Sequence, residues 1–149
     1  MEKLKVFEHG LAIAGMTREA VWKELELLLR HPQLVLAGCD EARVSEAAGP
    51  DGTLWLSRTK RFGDVEVEDR VLLQAPDRVE IHVSESENWP RSWLTILLAS
   101  EGDTVRLTFS YEQENPRPME NPAFEKLRNE AYRNKDGTLV QLIRQRAAS

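Results

Sequence analysis

Two opposite charges occupy positions from which they could meet across a β-hairpin. Arg58 stands five residues before the Gly63-Asp64 dipeptide, and Asp69 stands five residues after it. A two-residue loop of this kind is typical of a type II′ turn, which pairs Phe62 with Val65 and, counted outward, Arg58 with Asp69. We expect both side chains on the concave face of the sheet, although a register slip of one residue would reverse the faces.

The Arg58–Asp69 pair has two interpretations. The first is a cross-strand ion pair near the rim of the sheet, worth about 0.2–1 kcal/mol. The second is a charged group that fixes the polar end of a ligand, because a charge facing a partly dry cavity must find a partner. Arg58 would then hold a carboxylate, phenolate or carbonyl oxygen, and Asp69 would orient the guanidinium.

Tyrosines and apolar residues supply the other candidate ligand contacts. Tyr111 and Tyr132 each combine an apolar ring with one hydroxyl, so either could line a pocket and still make a hydrogen bond, or could simply belong to the core. A turn at Gly102-Asp103 places Tyr111 on the same face as the neighbouring apolar residues of its hairpin. The apolar side chains expected in the pocket wall, or simply in the core, are Leu56, Leu94, Ile96, Phe109 and Phe124.

Tryptophans mark two further surfaces. Trp89 lies in the long connection between two predicted strands, where it could cover the cavity mouth as a lid or pack back on the sheet as an anchor. The opposite, outer face of the sheet carries Trp55, Leu72, Trp93 and Leu97. If these four side chains cluster, the patch would be large enough to suggest a homodimer surface.

Searches for metal and nucleophile chemistry are negative. His9, His31 and His82 are far apart in the sequence, and none has the spacing to another His or to Cys39 that is typical of zinc sites. The sequence contains no Gly-x-Ser-x-Gly elbow and no glycine-rich phosphate loop. We therefore predict no metal and no cofactor.

The elements that must position these residues follow from periodicity and turn signals. Residues 3–14 predict a first strand, and Thr17 is typical of the N-cap of a following helix. Apolar residues at helical spacing predict that this helix continues to His31-Pro32, where the proline ends it. Pro32 can then begin a short second helical turn over residues 33–36.

From Cys39 the periodicity changes to two, which predicts strands separated by short turns. Six strands, all antiparallel, are expected at 39–47, 53–62, 65–74, 78–85, 92–100 and 104–113. A terminal helix then follows from Phe124 to the C-terminus. Because glycine costs about 1 kcal/mol in a helix interior, we expect a kink or a break at Asp136-Gly137.

Composition limits the classes of protein that fit. The chain has 149 residues and a net charge of −5, so we expect one domain over residues 1–149 and no nucleic-acid partner. No apolar run approaches the roughly 20 residues of a bilayer span. The single cysteine excludes an internal disulfide, and the charged N-terminus does not resemble a secretion signal. These features predict a cytoplasmic protein.

Four segments, together with the order of elements, carry a family resemblance. They are Met16–Leu25, His31-Pro32, Leu56–Arg58 and Leu107–Tyr111. The chain resembles the START-like (SRPBCC) superfamily of birch-pollen-type allergens, lipid-transfer START domains and aromatic polyketide cyclases, and in particular its AtaL-like branch of unknown function. The resemblance implies an α+β helix-grip fold. In this fold a curved seven-stranded antiparallel sheet wraps a long C-terminal helix, two short helices separate the first two strands, and a cavity is enclosed.

Three functions are consistent with this fold, because a fold alone does not define an activity. The first is non-enzymatic binding of a small hydrophobic or aromatic molecule in the cavity. The second, implied by the resemblance, is a polyketide cyclase or dehydratase in which Arg58 stabilises an enolate oxygen and Asp69 or Tyr111 moves a proton. The third is a co-chaperone-like interaction module, which would show a closed cavity and a large exposed apolar patch.

Overall fold

The computed structural model describes residues 3–87, 89–114 and 122–148. The first strand is followed by a helix and a short 3₁₀ turn at Pro32–Leu34, and the remaining strands precede the C-terminal helix. The elements are β1 (Lys3–Ala14), α1 (Arg18–Arg30), β2 (Glu41–Ala48), β3 (Leu54–Phe62), β4 (Val65–Gln74), β5 (Arg78–Val83), β6 (Ser92–Glu101), β7 (Thr104–Glu114) and α2 (Pro122–Ala148). The six strands predicted after Cys39 agree with β2–β7 to within two residues at each end.

All seven strands belong to one curved antiparallel sheet in the order β1-β7-β6-β5-β4-β3-β2. Strand β1 pairs with β7, the last strand of the chain. All the other paired strands are consecutive in the sequence. The register predicted from the Gly63-Asp64 turn is confirmed, since Phe62 pairs with Val65 and Arg58 pairs with Asp69. Because this register is the predicted one, Arg58 and Asp69 lie on the concave face of the sheet, as expected.

Helix α1 is stabilised by a capping residue at its N-terminus and by an apolar face that packs on the sheet. The Thr17 hydroxyl accepts a hydrogen bond from the Ala20 backbone N–H at 3.1 Å, which satisfies one of the free donors of the first turn. Its buried face packs on the inside of the sheet and consists of Val21, Trp22, Leu25, Leu28 and Leu29. The helix ends before Pro32, as predicted.

Helix α2 contradicts the expected interruption at Asp136-Gly137, because it is helical from Pro122 to Ala148 without a break. Asp136 is buried and faces the sheet, where Tyr111 donates a hydrogen bond to its carboxylate. The next turns bury Leu139 and Ile143 in the core. These contacts outweigh the cost of about 1 kcal/mol for glycine in a helix interior.

The core lies between the concave face of the sheet and the two helices. It joins α1 and α2 to the inner side chains of the central strands, including Val71, Val79 and Leu107, all fully buried. This arrangement, a curved seven-stranded sheet around a long C-terminal helix with a helix after the first strand, is the helix-grip fold. Neither α1 nor α2 combines the length and apolarity needed to cross a bilayer.

Candidate functional site

A cavity of about 310 Å³ lies between the concave face of the sheet, helix α1 with the turn after it, and helix α2. Its volume falls at the lower end of the ~300–1,000 Å³ that is typical of ligand pockets. Most of its wall is apolar. The apolar lining consists of Leu28, Leu29, Pro32, Val35, Leu36, Phe62, Val67, Ile81, Val83, Leu94, Ile96 and Leu139. Trp93 also borders the cavity, but the alternation of β6 puts its side chain on the outer face.

One side of the cavity holds a buried ion pair between β3 and β4. The Arg58 guanidinium donates through Nε and Nη2 to the two carboxylate oxygens of Asp69, each at 2.7 Å. Its Nη1 donates to the backbone carbonyl of Leu29, at the end of α1, at 3.0 Å. The side chains of Arg58 and Asp69 are 5% and 0% exposed. Arg58 is therefore held by two elements and borders the cavity, with its guanidinium away from bulk water.

Lys60 completes this first cluster. Two residues along β3 and on the same face as Arg58, it places its Nζ 2.8 Å from Oδ2 of Asp69. Burial by itself would raise the pKa of Asp69, but the hydrogen bonds and charges of Arg58 and Lys60 outweigh burial and hold that pKa below its ordinary value. Burial lowers the pKa of Lys60, and the Asp69 charge only partly opposes this.

A second polar cluster joins β1 and β7 to α2. The Tyr111 hydroxyl donates to the Asp136 carboxylate, at 2.7 Å to Oδ2 and 2.8 Å to Oδ1. His9 Nε2 lies 2.7 Å from Oδ2 of the same carboxylate. Asp136 is 1% exposed, so these two contacts supply the partners that a buried carboxylate requires.

Aromatic rings and a lysine form the rest of this wall. The rings of Tyr111 and Tyr132 stack with centroids 3.8 Å apart and planes 8° apart, which couples the sheet to α2. Phe7 packs on Tyr132 at 6.0 Å. The Lys135 ammonium lies 4.8 Å from the Tyr111 ring centroid and 5.5 Å from that of Tyr132, within range of cation–π attraction.

Ionisation in this wall is shifted by the low polarity around it. Burial raises the pKa of Tyr111 strongly, and the adjacent Asp136 carboxylate raises it further. Burial lowers the pKa of Lys135; the Asp136 charge opposes this shift, while the charges of Lys60 and Arg58 add to it.

Six of the ten side chains predicted to contact a ligand line the cavity, and two others lie behind it. Phe109 and Leu56 are fully buried in the core. The six lining residues are Arg58, Asp69, Leu94, Ile96, Tyr111 and Tyr132. The concave sides of the β3–β4 and β6–β7 hairpins, which were predicted separately, therefore line the same cavity.

One predicted position needs correction, and a second residue lies apart from the cavity wall. Phe124 is 62% exposed on the first turn of α2, outside both the cavity wall and the core, because the buried face of α2 begins further along the helix. Trp89 is not part of the cavity wall. Its indole N–H donates to the Ser84 carbonyl at 3.1 Å, and its own carbonyl accepts from the Ser86 N–H, so it ties the loop to itself.

The outer face of the sheet does not expose its four large apolar side chains together. Arg70 covers the Trp55 ring at 4.1 Å, and Lys3 covers the Trp93 ring at 4.8 Å. Leu72 is buried, whereas Leu97 is 41% exposed. The homodimer stays a prediction.

Sequence reasoning missed four residues of the site, namely His9, Lys60, Lys135 and Asp136. Lys60 could have been found, since the predicted register already places it on the face of Arg58. Asp136 follows Tyr132 by four residues, which puts both on one helix face, but its neighbour Gly137 suggested an interruption instead. No local sequence signal brings His9 to Asp136 across 127 residues.

No group of three or more His, Cys, Asp or Glu side chains within residues 3–87, 89–114 and 122–148 has the geometry to hold a metal ion.

The curved seven-stranded sheet, the long C-terminal helix and the cavity between them define a protein of the helix-grip fold. The profile of the AtaL family, described as acetylaranotin biosynthesis cluster protein L, matches residues 8–149, and the chain belongs to that family. No functionally curated protein matches the sequence.

Three solved structures that share this fold are distant in sequence. The di-domain aromatase/cyclase StfQ of the steffimycin biosynthetic pathway superposes with a TM-score of 0.68 at 12% identity over 99% of this chain, which spans about half (52%) of that protein. The aromatase/cyclase ZhuI from Streptomyces sp. R1128 gives 0.66 at 10% identity over 99% of this chain and 94% of its own. Ara h 8.0201 gives 0.68 at 7% identity over 97% and 99%.

Proposed function

We propose that the protein binds a small hydrophobic or aromatic molecule in the cavity between the sheet and α2. The observation that carries this proposal is a space of about 310 Å³ with mostly apolar walls and buried charges concentrated at few positions. Apolar walls supply affinity, and a few placed polar groups supply orientation. The stacked Tyr111 and Tyr132 rings favour a flat, aromatic ligand, because offset aromatic stacking adds to the gain from burial.

The test uses the neutral dye phenylnaphthylamine, whose fluorescence rises in apolar surroundings. Leu94 lines the cavity and Leu97 lies on the outer face of the same strand, so the variants Leu94→Trp and Leu97→Trp add the same bulk inside and outside. We expect Leu94→Trp to weaken dye binding by about tenfold or more, which corresponds to about 1.4 kcal/mol, and Leu97→Trp to change it by less than about twofold.

Circular dichroism confirms that each variant is folded, and Val83→Phe offers a second way to fill the cavity if Leu94→Trp does not fold. Equal dye affinity in the wild type, Leu94→Trp and Val83→Phe would reject the cavity as the binding site.

A polyketide cyclase-like enzyme is the second candidate, and its support is the fold shared with two aromatase/cyclases. The proton-transfer roles expected for it fit the geometry less well. Asp69 is tied to Arg58 and Lys60 with its pKa held low, which makes it a weak base. The Tyr111 hydroxyl already donates its hydrogen bond to Asp136, and the pKa of Tyr111 is raised, so Tyr111 is a weak acid.

A co-chaperone-like interaction module has the least support. That function would call for a closed cavity and a large exposed apolar patch on the outer sheet. The structure instead has a cavity of about 310 Å³. On the outer face of the sheet, Arg70 lies over the indole of Trp55 and Lys3 lies over that of Trp93.

A further inference from the structure

The charges that face the cavity are not balanced. Among the described residues of its wall, three cations, Arg58, Lys60 and Lys135, face two carboxylates, Asp69 and Asp136. A third carboxylate, Glu112, borders the cavity from β7, but the alternation of that strand puts its side chain on the outer face, where Lys3 lies 3.6 Å from it. The inner wall therefore carries one positive charge in excess.

The first carboxylate cannot neutralise this excess. Asp69 already receives two hydrogen bonds from Arg58 and the Lys60 ammonium at 2.8 Å, so one negative charge serves two cations. With side-chain exposures of 5%, 9% and 0% for Arg58, Lys60 and Asp69, water screens these charges little.

The second carboxylate is also engaged. Asp136 accepts from Tyr111 and contacts His9 at 2.7 Å, whereas Lys135 Nζ is 3.9 Å from its Oδ1, too far for a hydrogen bond. The Lys135 ammonium instead faces the rings of Tyr111 and Tyr132. Cation–π attraction is weaker than an ion pair and leaves the N–H groups of the ammonium able to bind an acceptor.

We infer that the cavity selects an aromatic ligand with one negative charge, a carboxylate or phenolate, whose anionic oxygen is bound by the Lys135 ammonium. This inference rests on the proposed function and specifies the ligand class within it. The anion would replace the solvent that an unbalanced ammonium requires, and the ring of the ligand would lie against the apolar wall.

The test compares two probes of nearly equal shape, naphthoate and naphthamide, by isothermal titration at neutral pH, where naphthoate is ionised. Four proteins are measured: the wild type, Lys135→Met, Lys135→Arg and Lys126→Met. Lys126 is an exposed lysine on the same helix and controls for net charge. Lys135→Arg keeps the positive charge.

We expect the wild type to bind naphthoate about tenfold or more tightly than naphthamide, the size of effect expected for a charge-assisted hydrogen bond. Lys135→Met should reduce this preference to less than about twofold, mainly by weakening naphthoate binding, while Lys135→Arg and Lys126→Met should retain the preference.

Equal affinity for the two probes in the wild type would overturn the inference and leave the proposed function standing. A preference for naphthoate that persists in Lys135→Met would overturn the role of Lys135. Failure of both probes and of phenylnaphthylamine to bind the wild type would reject the proposed function itself, and the inference with it.

Discussion

Asp69 is the side chain on which the buried charges of β3 and β4 converge. It is fully buried, receives both arms of the Arg58 guanidinium and contacts the Lys60 ammonium. Charges withdrawn from water are tolerated only while they compensate one another. Removal of this one negative charge would leave two neighbouring cations buried without compensation.

The variant Asp69→Asn tests this dependence with almost no change in side-chain volume. We expect it to lower the free energy of unfolding by about 3–5 kcal/mol, the range found when one partner of a buried ion pair is removed. Urea denaturation followed by circular dichroism measures the change. The matched control is Glu66→Gln, which breaks the exposed contact with Arg61 and should cost less than about 1 kcal/mol. Similar losses in the two variants would contradict this account.

For individual residues, the sequence predicts those contacts that follow from counting positions outward from a hairpin turn. The Arg58–Asp69 pair and the inward positions of Leu94 and Tyr111 follow from two short turns, because register fixes which side chains share a face. The contact between His9 and Asp136 joins β1 to α2 through the tertiary fold, so no local rule predicts it. The position of Phe124 was wrong because helical periodicity alone does not say where the buried face of α2 begins.

At the scale of elements, Gly137 shows how tertiary contacts override local preference. Glycine disfavours a helix interior, yet α2 continues through it, held by Asp136 before it and by Leu139 and Val140 after it. The strands were predictable in position because glycine-containing turns punctuate them, whereas the continuity of α2 depends on contacts with the sheet that local sequence does not contain.

The variant Gly137→Ala should therefore stabilise the protein. A Cβ added at this position meets no atom within 4 Å beyond its chain neighbours and the local helix backbone, and alanine loses less conformational freedom on folding than glycine. We expect the free energy of unfolding to rise by about 0.5–1 kcal/mol, measured by urea denaturation. Gly63→Ala is the opposite control: its φ of +63° in the β3–β4 turn strains any residue with a Cβ, so this variant should destabilise. No gain from Gly137→Ala would indicate a helix that deviates locally at this residue.

At the scale of the whole molecule, the cavity is an interruption in an otherwise continuous core. The sheet, α1 and α2 each contribute buried apolar residues, and charged groups of β3, β4 and α2 meet at the cavity between them. The fold class and the presence of a cavity were predicted through the family resemblance, and the order of elements supports both. The charge balance of the cavity was not predictable, because two of its five charges, Lys135 and Asp136, lie on a segment expected to break.

This charge balance predicts how stability depends on alkaline pH. Burial, with Lys60 and Arg58 nearby, lowers the pKa of Lys135 in the folded state against the opposing charges of Asp136 and Asp69, whereas the unfolded chain keeps the ordinary value of about 10.4. Between the two values the unfolded state binds more protons than the folded state, so the free energy of unfolding rises with pH in that window. Well below the window both states are protonated, and Lys135 contributes no slope.

The measurement is the difference in free energy of unfolding between the wild type and Lys135→Met, obtained by urea denaturation in steps from pH 7 to pH 10. Burial raises the pKa of Tyr111 and of Tyr132 above the ordinary value of about 10, so in the folded state both hydroxyls stay protonated over this range. We expect the wild type to gain stability relative to Lys135→Met as pH rises, since the folded state loses the Lys135 proton at a lower pH than the unfolded chain does. A difference that falls with pH would mean that the contacts with Asp136 and the tyrosine rings stabilise the charged amine more than burial disfavours it. In that case Asp136 and the tyrosine rings would already compensate the charge of Lys135, and the preference for an anionic ligand would lose its basis.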